Sequence, residues 1–415
     1  MTQTPLRRNR DFTLLWSGQV VSTVGTQVSA LAFPLLVLGL TGSPRDAGLV
    51  GFARGLPFLL LFLPAGVYVD RWDRKLIMLI SDAVRALALG SVALWLVLGR
   101  PPLAWLAVVA FVEGTLFMFF QLSENAALPH VVAREHLPQA IARNQARQQG
   151  AKLAGAPLGG ILYGISHLLP FAADAVSYAV SFVSLLFVRP TFQAPRARKE
   201  RHLRREVTDG MRWLWGQRFM RTVTGLVTVS NFVHQALSLV LIVRARELGA
   251  SPGLIGVMLA IGGVGAIAGA IVAPTVQRLV SPPRVVLGSL WIWVAQMLGI
   301  ALAPSPLVIG VIAAAGFVTG PVFNTTVGSY TYALVPEEIY GRVSAAGGLF
   351  ASGSVPLGAL FAGFLLSAAG ARPALLVLTA ILLVLAILGS AARDLRSAPR
   401  PEDIPSPEPI LAGAD

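Results

Sequence analysis

The chain has 415 residues, 55% of them hydrophobic and only 13% charged, with a formal net charge of +13 and no cysteine. A soluble globular chain is about one quarter charged, so these proportions exclude an ordinary water-soluble domain and point to an integral membrane protein with many spans. The missing cysteines exclude disulfides, thiolate chemistry and cysteine-ligated metals, and the positive charge does not form the single basic patch of a nucleic-acid-binding surface.

Twelve apolar segments are predicted, over about residues 12–40, 46–69, 76–98, 103–128, 139–166, 168–188, 220–243, 251–276, 284–303, 306–333, 343–369 and 372–391. Runs near twenty apolar residues predict α-helices, not the short alternating strands of a barrel. Arg7, Arg8 and Arg10 precede the first run, which is too long for a signal-peptide core and has no clear cleavage site, so it is read as a retained span.

The link between the second and third spans is Gly66 to Lys75, G-V-Y-V-D-R-W-D-R-K. It is short enough to make the two spans antiparallel neighbours. Gly66, one turn before Asp70, is expected to let them close on each other, and Arg71, Arg74 and Lys75 to hold the link at the cytoplasmic face. A plain positive-inside anchor is the simpler alternative. Along the whole chain, alternate loops and the two ends carry 25 Lys and Arg, the opposite loops carry five, and Arg54, Arg85 and Lys152 lie within spans. That bias predicts cytoplasmic termini.

Residues 189–219 divide the chain into an N-terminal six-helix bundle, 1–188, and a C-terminal one, 220–391, followed by a disordered cytoplasmic tail, 392–415. The linker opens with Pro190 and Pro195. Its second part, Glu206 to Trp215, has Val207, Met211, Leu214 and Trp215 at helical spacing, which predicts an amphipathic helix on anionic lipid or a solvated linker helix. The halves echo one another: Asp70-Arg71 and Pro129 have counterparts in Gln277-Arg278 and Pro336, and Pro157-Leu158-Gly159 in Pro356-Leu357-Gly358. Paired halves with a site at their interface suit alternating access.

Ionisable side chains inside spans are costly and mark functional candidates. The first half holds Arg54, Asp82, Arg85, Glu113, Lys152 and Asp174; the second holds His234. Asp82 and Arg85 share a helical face, as an internal ion pair or as a relay or substrate contact. Glu113 sits mid-span with no cation within one turn of its own helix. It is read as the proton carrier, against a neutral Glu bonded to a neighbouring helix. Lys152 could pair with Glu113, attract an anionic substrate group or snorkel to the inner interface. Asp174 is expected to be solvated near a helix end, Arg54 to be an outer gate residue, and His234 to bind protons or substrate or simply to pack. Phe117, Phe119 and Phe120 are read as core or as a drug-binding wall. Gly155, Gly159, Gly160, Gly265, Gly269, Gly353 and Gly358 allow close helix contact, and Pro157 and Pro356 can kink their spans, so Gly155, Pro157, Gly159, Gly160, Pro356 and Gly358 form candidate packing hinges.

Four motifs in order carry a family resemblance over nearly the whole chain. The link at Gly66–Lys75 resembles the G-x-x-x-D-R-x-G-R-[RK] signature of the major facilitator superfamily, with Asp73 in the usual glycine position. Phe120 to Pro129, F-x-x-x-x-A-A-L-P, Phe171 to Tyr178, F-A-A-D-A-V-S-Y, and Leu334 to Val343, L-V-P-E-E-I-Y-G-R-V, are similar to the drug:proton antiporter branch that includes macrolide efflux proteins and the enterobactin exporter. Many superfamily antiporters carry an arginine in span four, whereas here that span has Glu113 and no arginine, and the span-five signature G-P-x-x-G-G appears as Ala156-Pro157-Leu158-Gly159-Gly160.

The resemblance implies an all-α membrane fold of two pseudo-symmetric six-helix bundles. It implies a cytoplasmic gate at Gly66, Asp70, Arg71, Arg74 and Lys75, with Asp70 meeting the start of span eleven. The expected activity is proton-driven efflux of an amphiphilic small molecule across the cell membrane by a monomer that uses the proton gradient and no cofactor. A siderophore or metabolite exporter, or a non-transporting membrane sensor or partner-binding protein, are the alternatives. The chain has no P-loop, H-E-x-x-H or G-x-S-x-G motif and its five histidines lack metal-ligand spacing, so an enzyme is not expected.

Overall fold

A computed structural model describes residues 6, 8–189, 192 and 203–404. The described residues contain no strand. Their helices are α1 Arg10–Thr41, α2 Pro44–Arg71, α3 Arg74–Leu98, α4 Leu103–Val131, α5 Leu137–Ile165, α6 Leu169–Leu186, α7 Leu203–Gly216, α8 Arg218–Glu247, α9 Pro252–Leu279, α10 Pro282–Leu302, α11 Pro306–Phe317, α12 Thr319–Leu334, α13 Tyr340–Ala369, α14 Ala371–Ala391 and the short α15 Arg393–Arg396. Polar caps and first-turn prolines set the starts. The side chains of Asn9, Ser43, Asp73 and Ser305 accept from the first-turn amides of α1, α2, α3 and α11. Pro44, Pro252, Pro282 and Pro306 occupy first positions, where no amide hydrogen is needed. Gly42, at φ 67°, ends α1 in the left-handed region where a side chain would be strained.

Among the described residues, ten helices, with α11 and α12 taken as one, are long and apolar enough to cross a membrane, and α2, bent by 70° near Pro64, makes an eleventh. The remaining expected span is α5, which carries Arg143, Arg147 and Lys152 and is too polar to qualify by composition.

The chain forms two compact units: Met1–Lys199 with Ala245–Ala260, and Glu200–Arg244 with Ile261–Asp415. The boundary expected from sequence is therefore displaced. The end of α8 and the first turns of α9 pack with the first unit, because a Cβ at Gly160 would strike the Pro252 carbonyl and one at Gly256 the Ala156 carbonyl. Helix α7 belongs to the second unit. It docks on α13, with Leu214 buried, Gly210 against the Arg342 backbone and Trp215 stacked on Phe350 at 5.0 Å. The helix expected in the linker therefore has a protein-packed face. The basic residues Arg196, Arg198, Lys199 and Arg201, with Pro190 and Pro195, lie outside the described residues.

The tail expectation also changes. Residues 392–404 are folded: Leu395 is fully buried and the Tyr330 hydroxyl donates to the Pro399 carbonyl at 2.8 Å. Residues 405–415 lie outside the described residues.

The α2–α3 link shows what its charges do locally. Asp73 caps α3, accepting from the Leu76 amide at 3.1 Å. Arg74 is buried and donates to the carbonyls of Ala126 at 3.0 Å and Phe192 at 3.1 Å, with Asp70 at 3.5 Å. Lys75 donates to the Val188 carbonyl at 2.6 Å. These two cations thus tie the start of α3 to backbone oxygens near the ends of α4 and α6. Arg71 is exposed. A Cβ at Gly66 would meet nothing within 4 Å, so the expected close approach of α2 there is absent. Arg74→Ala removes charge-assisted bonds to buried carbonyls and should lower stability by at least about 2 kcal/mol, whereas Arg71→Ala should change it by less than about 0.5 kcal/mol. Thermal unfolding of both variants in detergent checks the contrast.

Candidate functional site

Inside the first unit, five helices bring charge to one point. Gly114 of α4 lies against the Arg54 carbonyl of α2, and Gly25 of α1 lies against Ser177 and Asp174 of α6. Any side chain at either glycine would push the paired helices apart. This close packing puts Glu113, the residue before Gly114, within reach of two cations. Its Oε2 accepts from Arg54 Nε at 2.6 Å and its Oε1 from Arg85 Nη2 at 2.8 Å. The Tyr178 hydroxyl is 3.4 Å from Oε1 and 2.8 Å from Thr26 Oγ1. Arg85 also donates to the Tyr178 hydroxyl, and its guanidinium carbon lies 3.9 Å from the Tyr178 ring centroid and 5.5 Å from that of Phe117.

Several expectations are corrected by this geometry. Glu113 is not a lone carboxyl; its cations come from α2 and α3, which spacing along α4 cannot reveal. Asp82 and Arg85 share a face but do not pair, because Arg85 turns to Glu113. Asp82 instead accepts from Ser181 Oγ at 2.5 Å, Ser181 accepts from Gln19 Nε2 at 2.6 Å, and Asp82 Oδ1 has no hydrogen-bond partner among the described residues. Arg54 is an inner partner of Glu113. Asp174 is not solvated: it is fully buried and accepts from Ser177 Oγ at 3.0 Å. Neither Asp82 nor Asp174 has an ion-pair partner among the described residues. Lys152 does not reach Glu113, both of whose oxygens are taken by arginine; it is exposed and lines a cavity instead.

That cavity, of about 330 Å³, is lined by described residues of the first unit. Gln19, Gln27, Gln121, Gln148, Lys152 and Arg85 give it a polar side, and Phe58, Phe62, Phe117 and Phe120 an apolar one. Gly155 and Gly159 seat α5 closely on Gln27 and Val28 of α1, which fixes Lys152 on the cavity wall. In the second unit, His234 Nδ1 lies 2.8 Å from the Ser230 carbonyl and its ring meets Trp293 edge-on at 4.7 Å, the environment of a packed histidine. Gly358 lies against the Phe232 carbonyl, and α5 and α13 run on as helices through Pro157 and Pro356. Among the described residues, no cluster of three or more His, Asp or Glu could hold a metal.

The sequence profile of the transmembrane secretion effectors matches residues 1–410. The chain belongs to that family of major facilitator transporters. It is 26% identical over 396 residues to the multidrug efflux pump Tap of Mycolicibacterium fortuitum, covering 92% of this chain and 96% of the relative. It is 24% identical over 230 residues to macrolide efflux protein A of Streptococcus pyogenes, covering 55% of this chain and 56% of the relative. Among solved structures, a mutant of the nucleoside transporter NupG matches with a TM-score of 0.79 at 12% identity, over 92% of this chain and 99% of that one. A bacterial homologue of the iron transporter ferroportin in an inward-facing state matches at 0.74 and 15% identity, over 94% and 99%. These structural likenesses show the major facilitator fold. The protein is a multi-pass membrane transporter and not an enzyme.

This transporter has a second buried ion pair that spacing did not single out. Glu124 lies about three turns after Glu113 on the same face of α4, and its Oε2 accepts from Arg147 Nη2 of α5 at 3.0 Å, with Nη1 2.7 Å from Oε1. Arg147 is one of the 25 Lys and Arg that the sequence assigns to alternate loops and the two ends, because α5 begins with a polar half. The face shared by Glu113 and Glu124 was the available signal. Thr26 and Ser181 carry no sequence mark, and Tyr178 is marked only as the last residue of the Phe171–Tyr178 motif.

Glu113→Gln leaves two guanidinium groups inside the helices with no carboxylate. It should cost about 3–5 kcal/mol of stability, whereas Glu135→Gln, at an exposed position, should cost less than about 0.5 kcal/mol. Unfolding of the two purified variants, followed by intrinsic tryptophan fluorescence, measures the difference.

Proposed function

We propose that this transporter exports amphiphilic small molecules from the cell in exchange for protons, by alternating access, from the cell membrane and with both termini cytoplasmic. The observation that carries the reading is a cavity with aromatic and amide walls beside buried carboxyls of two kinds. One kind, Glu113 and Glu124, is locked to arginine. The other, Asp82 and Asp174, has hydroxyl partners and no cation. A carboxyl of the second kind takes up a proton without breaking an ion pair, so the proton-carrying role passes from Glu113 to Asp82 and Asp174. The names of the relatives, a multidrug and a macrolide efflux protein, support efflux of such cargo. The excess of Lys and Arg in alternate loops and at the two ends supports the orientation. Asp70, Arg74 and Lys75 then sit on the cytoplasmic side as a stiff link between the second and third spans, with Gly66 and Arg71 free of comparable packing.

Purified protein in dye-loaded liposomes tests this. An inward proton gradient should drive expulsion of an amphiphilic dye, and an ionophore should stop it. Asp82→Asn and Asp174→Asn should lose the gradient-driven component while still exchanging dye down its own gradient. Wild-type rates in both variants would refute the carrier assignment, and a wild type that moves no dye would refute export.

A further inference from the structure

The charge on the cavity wall has a consequence for cargo. Lys152 stands near the middle of α5, side chain exposed, and no hydrogen bond or ion pair holds its ammonium among the described residues. A mid-span cation faces protein, water or a ligand, and it is kept where it has an anion to meet. Among the described residues the cavity lining supplies none: it contains Lys152 and Arg85 but no Asp or Glu. Arg85 is already matched by Glu113, which also serves Arg54, so two guanidinium groups share one carboxylate behind the wall. Asp82 and Asp174 do not line the cavity. The second half of the sequence brings no carboxylate to mid-span either. Between Arg218 and Ala391 its acidic residues are Glu247, at the end of α8, and Glu337 and Glu338, in the turn before α13.

The neutral groups on the wall fit the same cargo. Gln148 lies one turn before Lys152 on the same face of α5, and Gln19, Gln27 and Gln121 add amide donors from α1 and α4. The same lining includes Phe58 and Phe117, with ring centroids 6.4 Å apart, and Phe62 and Phe120. A cationic amphiphile would find no counter-charge here and one repelling ammonium. From this we infer that the cavity is the cargo subsite for amphiphilic organic anions, with the carboxylate or sulfonate head on Lys152 and the glutamine amides and the apolar body on the phenylalanines. The inference rests on the export reading for its physiological meaning, but the site itself is a binding property.

The test uses full-length purified protein in detergent, with no proton gradient, and two probes with one ring system and opposite heads: pyrenebutyrate and pyrenebutyl-trimethylammonium. Equilibrium binding is read by fluorescence anisotropy. Wild type should bind pyrenebutyrate at least about tenfold more tightly than the cationic probe, the factor expected from one modest ion pair. Lys152→Gln should abolish that preference and Lys152→Arg should keep it. Lys152 is exposed and unpaired, so neither variant should unfold, and an unchanged melting temperature confirms it. A preference that survives Lys152→Gln, a wild-type preference for the cation, or binding of neither probe would overturn the inference. Because no gradient is applied, loss of proton-driven efflux would leave this binding result standing, and efflux of anionic dyes by Lys152→Gln at the wild-type rate would sink the anion subsite without touching export.

Discussion

A carboxylate held between two guanidinium groups inside apolar helices is the contact on which the first unit depends. Glu113 and Arg85 are buried and Arg54 is half-buried, so each alone would be costly in that setting. Together they are satisfied, and the geometry that satisfies them is demanding. It needs α2 to touch α4 backbone to backbone at Gly114, α3 to present Arg85 to the same carboxylate, and α1 and α6 to bring Thr26 and Tyr178 around it. Five helices are thereby fixed to one another by polar contacts that apolar packing in lipid could not specify, because lipid and leucine are equally apolar. The Glu124–Arg147 pair does the same work nearer the α2–α3 link, and Arg74 and Lys75 complete it at the helix ends.

That arrangement separates support from chemistry. Carboxyls committed to arginine hold helices together. Carboxyls that meet hydroxyls, Asp82 on Ser181 and Asp174 on Ser177, are the ones that the proposed exchange of protons uses. Both groups sit in the first unit, as does the cavity bearing Lys152. The second unit is packed by glycine-to-carbonyl contacts, such as Gly265 and Gly269 of α9 against Ala314 and Val318, and by the aromatic group around His234 and Trp293. A division of labour follows, with charge handled by one half and close helix packing dominating the other.

The sequence made the class of fold legible, because long apolar runs, loop-charge parity and the four motifs leave little choice of architecture. The buried charges were also found by the simple cost of placing them in a span. Their partners were not. Spacing along one helix reports neighbours three or four residues away, so Asp82 and Arg85 looked like a pair and Glu113 looked alone. The true partners come from other helices, where only the tertiary fold decides. Asp174 was misjudged for a related reason: two turns from a helix end suggests water, but Gly25 lets α1 cover it. The polar first half of α5 hid Arg147 among loop cations, and the docking of α7 on α13 depended on Gly210 meeting the Arg342 backbone, which amphipathic periodicity cannot distinguish from a lipid-facing helix.

The central claim is that protons are taken up by the aspartates that meet hydroxyls and not by the glutamate locked between arginines. Infrared difference spectroscopy across a pH step reads this directly, because a protonated carboxyl has its own carbonyl band and that band shifts with isotope. The account predicts that the pH-dependent band shifts in protein carrying isotope-labelled aspartate and stays in place with labelled glutamate, and that Asp82→Asn or Asp174→Asn diminishes it. A band that shifts only with labelled glutamate, and survives in both asparagine variants, would contradict it.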